Sequence, residues 1–509
     1  MDKPTINPIQ LKEWHELHPY NTKAESDDYY VELSNTLFDT WVKSHLTDKI
    51  NINAIRRVSL YVAAYVEDIK SDFGLWKAFI TRHCALYGRR LPFFASAADT
   101  NASRPQVTDI NFIIWYSLQE LTGKPSHQII PPFLNSLTTV SGLLYEKINK
   151  TFDKAPCNKR LTRLFSNPQV YKEFPLLKQL LNWFFSHAYL IEPSTQERIM
   201  MNHRIIMDKF KNATDEQKNM FMYGIMQDTI FTYPCGPLAL YVKDWLHAMA
   251  DDTAEAASRY LGIEALQTYH WLVTDITDET VTLDCMQRER VIEVAKSTFK
   301  DADKLAKGKS IIICGFVKYD QTWNVSGVIS LTDTDNPQIK SIKKVADRSR
   351  FADVHRKVYQ QFMEANNGKP IAFFGDIEEV NKFFTDKLKW PANDNLATQL
   401  SKSRNFILFA EEDKGIMIAT NIAEYVKDAD NPLYKKEEAE RKGVFPFINK
   451  GMCPIDLLEY LEDNDMLHDA CFLTDGKGFN AEKGQKLLHD NWDFIARMFL
   501  NEFYWDEMH

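Results

Sequence analysis

The 509-residue sequence predicts an α+β protein with three regions: a multi-helical N-terminal half over residues 1–262, a small SH3-like or OB-like β-barrel over 263–335, and a mixed α+β domain over 336–509. Three observations carry this reading. From about residue 28 to 262 apolar residues recur every three or four positions, the spacing that gathers them on one helix face. Near His270 the period falls to roughly two and β-branched residues take over, as strands require. After the polar joint Asp333-Thr334-Asp335-Asn336-Pro337 the two patterns alternate.

The helical half opens on the stripe Tyr29, Leu33, Leu37 and Trp41. Ile55, Val58, Tyr61, Val62, Tyr65, Val66 and Ile69 line a second helix, and Ile110 to Leu121 a third that Gly123 and Pro125 stop. Ser194 with Glu197, and Thr214 with Gln217, have capping-box spacing, in which each side chain satisfies a backbone N–H at a helix start. No repeat that would mark a solenoid is present. The stretch from Asp153 to Pro168 either divides the half into two bundles or forms one long loop.

In the middle region Trp271-Leu272-Val273, Val281-Thr282-Leu283, Val291 to Val294, Ser310 to Val317 and Trp323 to Leu331 read as five short strands. That is too little chain for a sandwich, and consecutive hairpins of this size commonly close into a small barrel. Gly308, Gly315 and Gly327 are placed to permit its bends. Downstream, the pattern predicts a helix from about Arg350 to Glu364, a strand at Ile371–Phe374, and a helix lined by Ile377, Val380, Phe383, Phe384 and Leu388. A hairpin of Phe406–Phe409 with Ile416–Ala419 follows, then helices near 454–462 and 481–500.

Composition excludes several classes. With 44% apolar and 13% aromatic residues the chain is too rich in bulky side chains to be disordered. A net charge of −9 repels phosphate on average, which argues against a protein that simply coats nucleic acid. Cysteines 84, 157, 235, 285, 314, 453 and 471 contain no C-x-x-C pair, so they suit neither a disulfide framework nor a zinc knuckle and are read as reduced. The polar start Met1-Asp2-Lys3-Pro4 and the lack of a long apolar run predict a cytoplasmic protein with no membrane partner.

The candidate chemistry is sparse. Gly308-Lys309-Ser310 matches the end of a phosphate-binding loop, but Asp303 stands where the first glycine is needed and a strand follows, so a turn is expected. His15 and His18 are spaced to share a metal on a helix, yet Pro19 ends any helix there and no third ligand is suggested; a surface segment is expected. Cys235, amid Tyr233-Pro234 and Gly236-Pro237, needs a base such as His203, His247 or His270 to act as a nucleophile, and a buried structural thiol is expected. The acidic sets Asp333/Asp335, Glu411/Glu412/Asp413 and Glu462/Asp463/Asp465 read as solvated turns. No cofactor or metal site is expected.

One stretch is strongly basic. Lys340, Lys343, Lys344, Arg348, Arg350, Arg356 and Lys357 are opposed only by Asp347 and Asp353. Directly after a barrel, it is a candidate nucleic-acid or phosphate patch, with Trp271, Phe316, Tyr319 and Trp323 as stacking aromatics. The favoured reading is an exposed linker and helix surface, with those aromatics in the barrel core.

Asn405-Phe406 with Gly415, Asn431-Pro432-Leu433-Tyr434, Cys453-Pro454-Ile455-Asp456-Leu457-Leu458 and Leu467-His468-Asp469-Ala470 carry a resemblance confined to the C-terminal region. This part resembles an uncharacterised bacterial protein family of the domain-of-unknown-function type. The resemblance implies a bacterial cytoplasmic origin and supplies no activity or catalytic residues. The sequence therefore points to a non-catalytic macromolecular interaction protein, with a protein favoured over nucleic acid as partner. The alternative is a hydrolytic or nucleotide-processing enzyme whose carboxylates converge from distant segments.

Overall fold

The computed structural model describes residues 7–44, 50–94, 102–121, 129–250, 253–342, 352–448, 453–468 and 481–500. The chain divides into two compact units, residues 1–123 with 135–345 and residues 124–134 with 346–509.

The first unit begins with helices α1 (Leu11–Glu16), α2 (Asp27–Ser44), α3 (Ile52–Ser71), α4 (Leu75–Tyr87), α5 (Val107–Leu121) and α6 (Asn135–Thr151). It continues with α7 (Pro168–Tyr171), α8 (Phe174–His187), α9 (Glu192–Lys209), α10 (Asp215–Thr232), α11 (Val242–Met249) and α12 (Ala254–Leu261). The stripes read from the sequence face inward: Leu33, Leu37 and Trp41 on α2, and Ile110, Ile113 and Ile114 on α5, are buried. Helix α3 is apolar on more than one side, as a helix enclosed by neighbours must be. Thirteen of its twenty residues are buried, and they include Glu67 and Asp68.

The Thr214–Gln217 capping box forms as expected, with reciprocal bonds of 3.0 and 3.2 Å. Ser194 is not a cap. Helix α9 already begins at Glu192 with Pro193 in its first turn, and the Ser194 hydroxyl donates to the Ile191 carbonyl while accepting from Gly236 N. Proline's fixed φ favours that earlier start.

Strands β1 (Glu264–Ile276), β2 (Thr280–Cys285), β3 (Val291–Ala295), β4 (Ser310–Tyr319), β5 (Thr322–Val325) and β6 (Ser330–Asp333) form an antiparallel sheet of order β3-β2-β1-β4-β5, with β6 also on β4. The sheet curls around Trp271, Leu283, Ile312 and Phe316, and the Arg290 guanidinium lies 5.9 Å over the Trp323 ring. No ladder joins β3 to β5 among the described residues, so a curled antiparallel sheet is the description the strands support.

The run expected as one strand from Trp323 to Leu331 is broken. Phe316 pairs with Val325 and Ile313 with Ser330, so three steps along β4 face five on the other side. The two extra residues lie beside helix α10, where a Cβ on Gly327 would come within 3.0 Å of Gly224 Cα. Asp228 of the same helix accepts from the Ser326 hydroxyl (2.8 Å) and from Thr268 N (2.7 Å). Thr268 lies at the register shift of β1, where its N–H is turned away from the ladder. Gly315 and Gly327 thus serve close approach of a helix, not the bends expected of them. Helix α13 (Pro337–Lys340) ends the described part of this unit.

The second unit comprises α14 (Ala352–Ala365), β7 (Ile371–Phe374), α15 (Ile377–Asp386), α16 (Asp394–Gln399), β8 (Phe406–Glu411), β9 (Gly415–Ala419), α17 (Lys436–Lys442), α18 (Phe445–Ile448), α19 (Ile455–Asp463), α20 (Ala481–His489) and α21 (Trp492–Leu500). Its sheet is antiparallel in the order β7-β8-β9, and Phe362, Val380, Phe384, Phe406 and Leu408 pack together in its core. Strand β7 and the hairpin lie where the alternation put them. The single closing helix expected over 481–500 is two, parted at Asp490 and the buried Asn491, whose side-chain amide donates to the Leu487 carbonyl.

Two glycine replacements separate packing from propensity. A Cβ on Gly315 would fall 2.3 Å from Asp228 Oδ1 and 2.4 Å from Ser326 Oγ. Gly315→Ala should therefore destabilise by about 1–3 kcal/mol. A Cβ on Gly142, within α6, meets nothing within 4 Å. Gly142→Ala should stabilise by about 0.5–1 kcal/mol. Denaturant unfolding of the two variants reads both signs.

Candidate functional site

Titratable side chains from distant segments meet where the N-terminal residues cross α2 and α3. His18 Nδ1 lies 2.8 Å from the Trp14 carbonyl, which can only accept, so that nitrogen carries a proton. Its Nε2 is 2.6 Å from Glu67 Oε2, and both side chains are buried. Burial pulls the imidazole toward neutrality, but the charge and hydrogen bond of Glu67 outweigh it and raise its pKa. Glu67 thus favours the protonated imidazole of His18.

The pair belongs to a closed ring of hydrogen bonds. Asn158 Nδ2 donates to Glu67 Oε1 (2.9 Å) and to Tyr20 OH (2.6 Å). Tyr20 OH donates to Asp27 Oδ1 (3.2 Å), which also accepts from Trp14 Nε1 (3.2 Å). Asp27 Oδ2 accepts from Ala24 N and from His15 Nε2 (2.7 and 2.8 Å). Burial alone would raise the Asp27 pKa; these donors hold it below the usual value. Beside the ring, Asp68 accepts from Gly74 N (2.8 Å), Trp76 N (2.7 Å) and Tyr189 OH (2.9 Å), which caps the start of α4. Burial nonetheless pushes its pKa up to about 6.

Two arginines of α3 extend the pairing. Arg56 grips Glu13 through two bonds (2.5 and 2.7 Å) and the carbonyls of Asn7 and Pro8 (2.6 and 2.8 Å). Arg57 reaches Glu16 (3.3 Å) and Glu192 (2.6 Å), whose pKa burial raises to about 7. Deeper still, Arg90, Tyr65 and Asp109 form a buried triad. A cavity of about 20 Å³ touches His18, Glu67, Asp68, Trp183 and Tyr189. An open hollow of about 250 Å³ lies against Asp68, Asp72, Trp76, Lys77 and Ser103.

The arrangement corrects one expectation. The His15–His18 segment is not a surface segment: the two imidazoles diverge to Asp27 and Glu67, and helix α1 brings Trp14 into the core. Among the described residues no group of three or more His, Cys, Asp or Glu is placed to hold a metal ion. Glu67, Asp68, Asp27, Asn158 and Tyr189 were missed. A signal existed for the first two, since two carboxylates follow directly on the apolar run Val62 to Val66 of a helix with little polar surface.

The other candidates stay apart. Gly308 has a φ of +71° and Ser310 opens β4, so Lys309 sits in a turn. Cys235 is buried and its backbone pairs with Leu240, while burial pushes its thiol pKa up, away from a nucleophile's. Asp335 and Glu412/Asp413 lie in turns, where Glu411 Oε2, at the end of β8, accepts from Asp413 N and Lys414 N; Asp333 ends β6, and Glu462 and Asp463 are not in the expected turn but in the last turn of α19, with Asp465 just beyond it. Of the basic stretch, Lys343, Lys344, Arg348 and Arg350 lie outside the described residues. Lys340 is exposed at the end of α13 in the first unit; Arg356 and Lys357 are exposed on α14 in the second, where Arg356 pairs with Glu412 (3.0 Å). Trp271, Phe316, Tyr319 and Trp323 are all buried, so no stacking platform accompanies the charge. Of the cysteines, 235, 285, 314 and 453 are buried thiols, 84 is half-buried, 157 exposed, and 471 lies outside the described residues.

A different surface feature lies on the hairpin of α9 and α10. Its inner face is packed by Ile206, by Asn202 bonded to Thr229 (2.9 Å) and by stacked Phe210 and Phe221. The hairpin also carries Met200, Met201, Met207, Met220 and Tyr223, each between 41% and 54% exposed, with Lys178 of α8 lying 5.7 Å over the Tyr223 ring. No helix among the described residues is long and apolar enough to cross a membrane.

The buried pair gives a pH-dependent expectation. His18 has a raised folded pKa, so its contribution is full below about 6.5 and is lost as pH rises through the folded value. Asp68 is raised from 3.8 to about 6, so stability falls as pH rises through that window too. Asp27, with its lowered pKa, acts oppositely and loses its contribution as pH falls below 3.8. Glu67→Gln removes the counter-charge of His18 and should cost about 3–5 kcal/mol. Urea unfolding should show a larger loss at pH 5 than at pH 8, because the unfolded chain then gains a proton that the folded variant resists.

Comparisons with known proteins place the chain without assigning it a task. A search of curated proteins and one of solved structures each returned no match. A family model described as "Protein of unknown function (DUF3843)" matches residues 8–348 and 343–501. The likeness noticed at the C-terminal segments therefore extends over most of the sequence, and it carries no statement of source. The chain belongs to this DUF3843 family.

Proposed function

We propose that this protein is an interaction module that docks an apolar surface of a protein partner on the exposed methionines of the α9–α10 hairpin. The observation that carries the reading is the exposure of Met200, Met201, Met207, Met220 and Tyr223 on that one hairpin. Several exposed large apolar side chains gathered on one hairpin are unusual on a protein surface and mark contact sites. Methionine is flexible and polarizable, and it adapts to a partner's contours. The charges of the hairpin speak for a protein over nucleic acid: Arg198, Arg204, Lys209, Lys211 and Lys218 are outnumbered by Glu192, Glu197, Asp208, Asp215, Glu216 and Asp228. Such a surface lacks the excess positive charge that phosphate binding uses.

The enzyme alternative draws on the meeting of Asp27, Glu67 and Asp68. Against it, those carboxylates are engaged by protein donors, the cavity beside Glu67 and Asp68 holds about 20 Å³, far below a substrate pocket, and the open hollow of about 250 Å³ reaches Asp68 but neither Asp27 nor Glu67.

A photo-crosslinking residue at Met200 or Met207, with Val291 on β3 as the exposed control, tests the proposal in cells that make the protein. The expected result is a discrete protein adduct from the hairpin positions and none from Val291. Replacing Met201 and Met220 by glutamate should reduce the adduct about tenfold, on the order of 1.4 kcal/mol, with the melting temperature preserved. Equal adducts from Val291, a nucleic-acid adduct, or no adduct from the hairpin would contradict it.

A further inference from the structure

The ring of polar side chains leaves one buried donor unaccounted for. Trp183 Nε1 is buried from solvent and has no acceptor among the described residues. The indole borders the same cavity of about 20 Å³ as His18, Glu67, Asp68 and Tyr189. A buried N–H without a partner is costly, so an orphan beside two carboxylates calls for an intermediary.

The carboxylates have capacity to spare. Glu67 Oε1 accepts from Asn158 and Oε2 from His18, one bond each of the two that a carboxylate oxygen readily takes. Asp68 Oδ1 accepts from Gly74 N and Oδ2 from Trp76 N and Tyr189 OH, and the backbone N–H of Leu75 also bonds this carboxylate. Trp183, Glu67 and Asp68, with one unpaired donor and at least two open lone pairs among them, therefore line a space that fits one small molecule. A buried water needs roughly 10–15 Å³ of such space and two to four polar partners. Anything larger is excluded by volume, and an anion by the carboxylates.

We propose that this cavity is a binding site for a single structural water, which accepts from Trp183 Nε1–H and donates to Glu67 and Asp68. The water joins the His18–Glu67 pair to the carboxylate that caps α4, so the ring and the cap form one hydrogen-bonded unit. Asp68 also borders the open hollow, which sets the site one side chain from solvent.

A crystal structure at a resolution that shows ordered water tests this, together with a double-mutant cycle. The expected density is one water within about 3.2 Å of Trp183 Nε1 and of a carboxylate oxygen. Trp183→Phe removes the donor, and Ala64→Val, at another wall of the cavity, occupies the space. Ala64→Val should lower the melting temperature several degrees less in the Trp183→Phe background than in the parent, because no N–H is then stranded. A direct bond from Trp183 Nε1 to a protein acceptor, an empty cavity at that resolution, or strictly additive shifts would each overturn the site. If Ala64→Val fails to fold, the density in the parent and in Trp183→Phe decides: a water equally placed without the indole N–H would overturn it as well.

Discussion

Helix α3 carries charge into an interior that cannot solvate it, and much of the first unit is arranged to answer that charge. Glu67 and Asp68 are buried on the same helix as Val58, Val62 and Val66. An unpaired carboxylate at such depth would cost several kcal/mol, so each is met by donors from elsewhere in the chain. His18 comes from the N-terminal segment, Asn158 from the connection after α6, and Tyr189 from the turn between α8 and α9. The pairings lie 49, 91 and 121 residues apart, so they hold the topology as well as the charge. The N-terminal segment is fixed against α3 by Arg56 and Arg57 in the same manner.

The engagement of these groups shapes the site: the imidazole has both nitrogens bonded, the cavity beside it holds about 20 Å³, and the open hollow of about 250 Å³ reaches Asp68. The raised pKa of Asp68 would draw notice in an active site, yet here it follows from burial in a carboxylate that caps a helix. The surface of the α9–α10 hairpin is the opposite case. Its inner face is satisfied by stacked rings and the Asn202–Thr229 bond, while Met200, Met201, Met207 and Met220 stay exposed.

Much of the fold was legible because periodicity reports burial directly. The stripes on α2, α3 and α5, the strand Ile371–Phe374 and the hairpin after Phe406 follow from spacing alone. What periodicity could not show was long-range partnership. Ser194 and Glu197 have the spacing of a cap, but Pro193 starts the helix earlier and Ser194 bonds to Gly236 instead. Trp323 to Leu331 reads as one strand because the two extra residues in it answer to Gly224 and Asp228 on another element. The candidate site was hidden for the same reason. Pro19 marks that no helix continues past His18, and α1 indeed stops at Glu16, but a chain that leaves its helix can still turn inward, and Glu67 waits 49 residues away. The exposed methionines were equally invisible, since Met200 and Met207 read as members of an apolar stripe until the hairpin's packed face is known.

The central claim is that the His18–Glu67 pair is a closed, charged element of the scaffold. The most direct measurement is nitrogen-detected NMR of protein labelled at histidine, with His18 identified by its loss in His18→Gln. The account predicts that both ring nitrogens of His18 carry protons at pH 7.5 and that these protons exchange slowly with water. A neutral ring with one bare nitrogen, titrating near its ordinary value and exchanging freely, would contradict it.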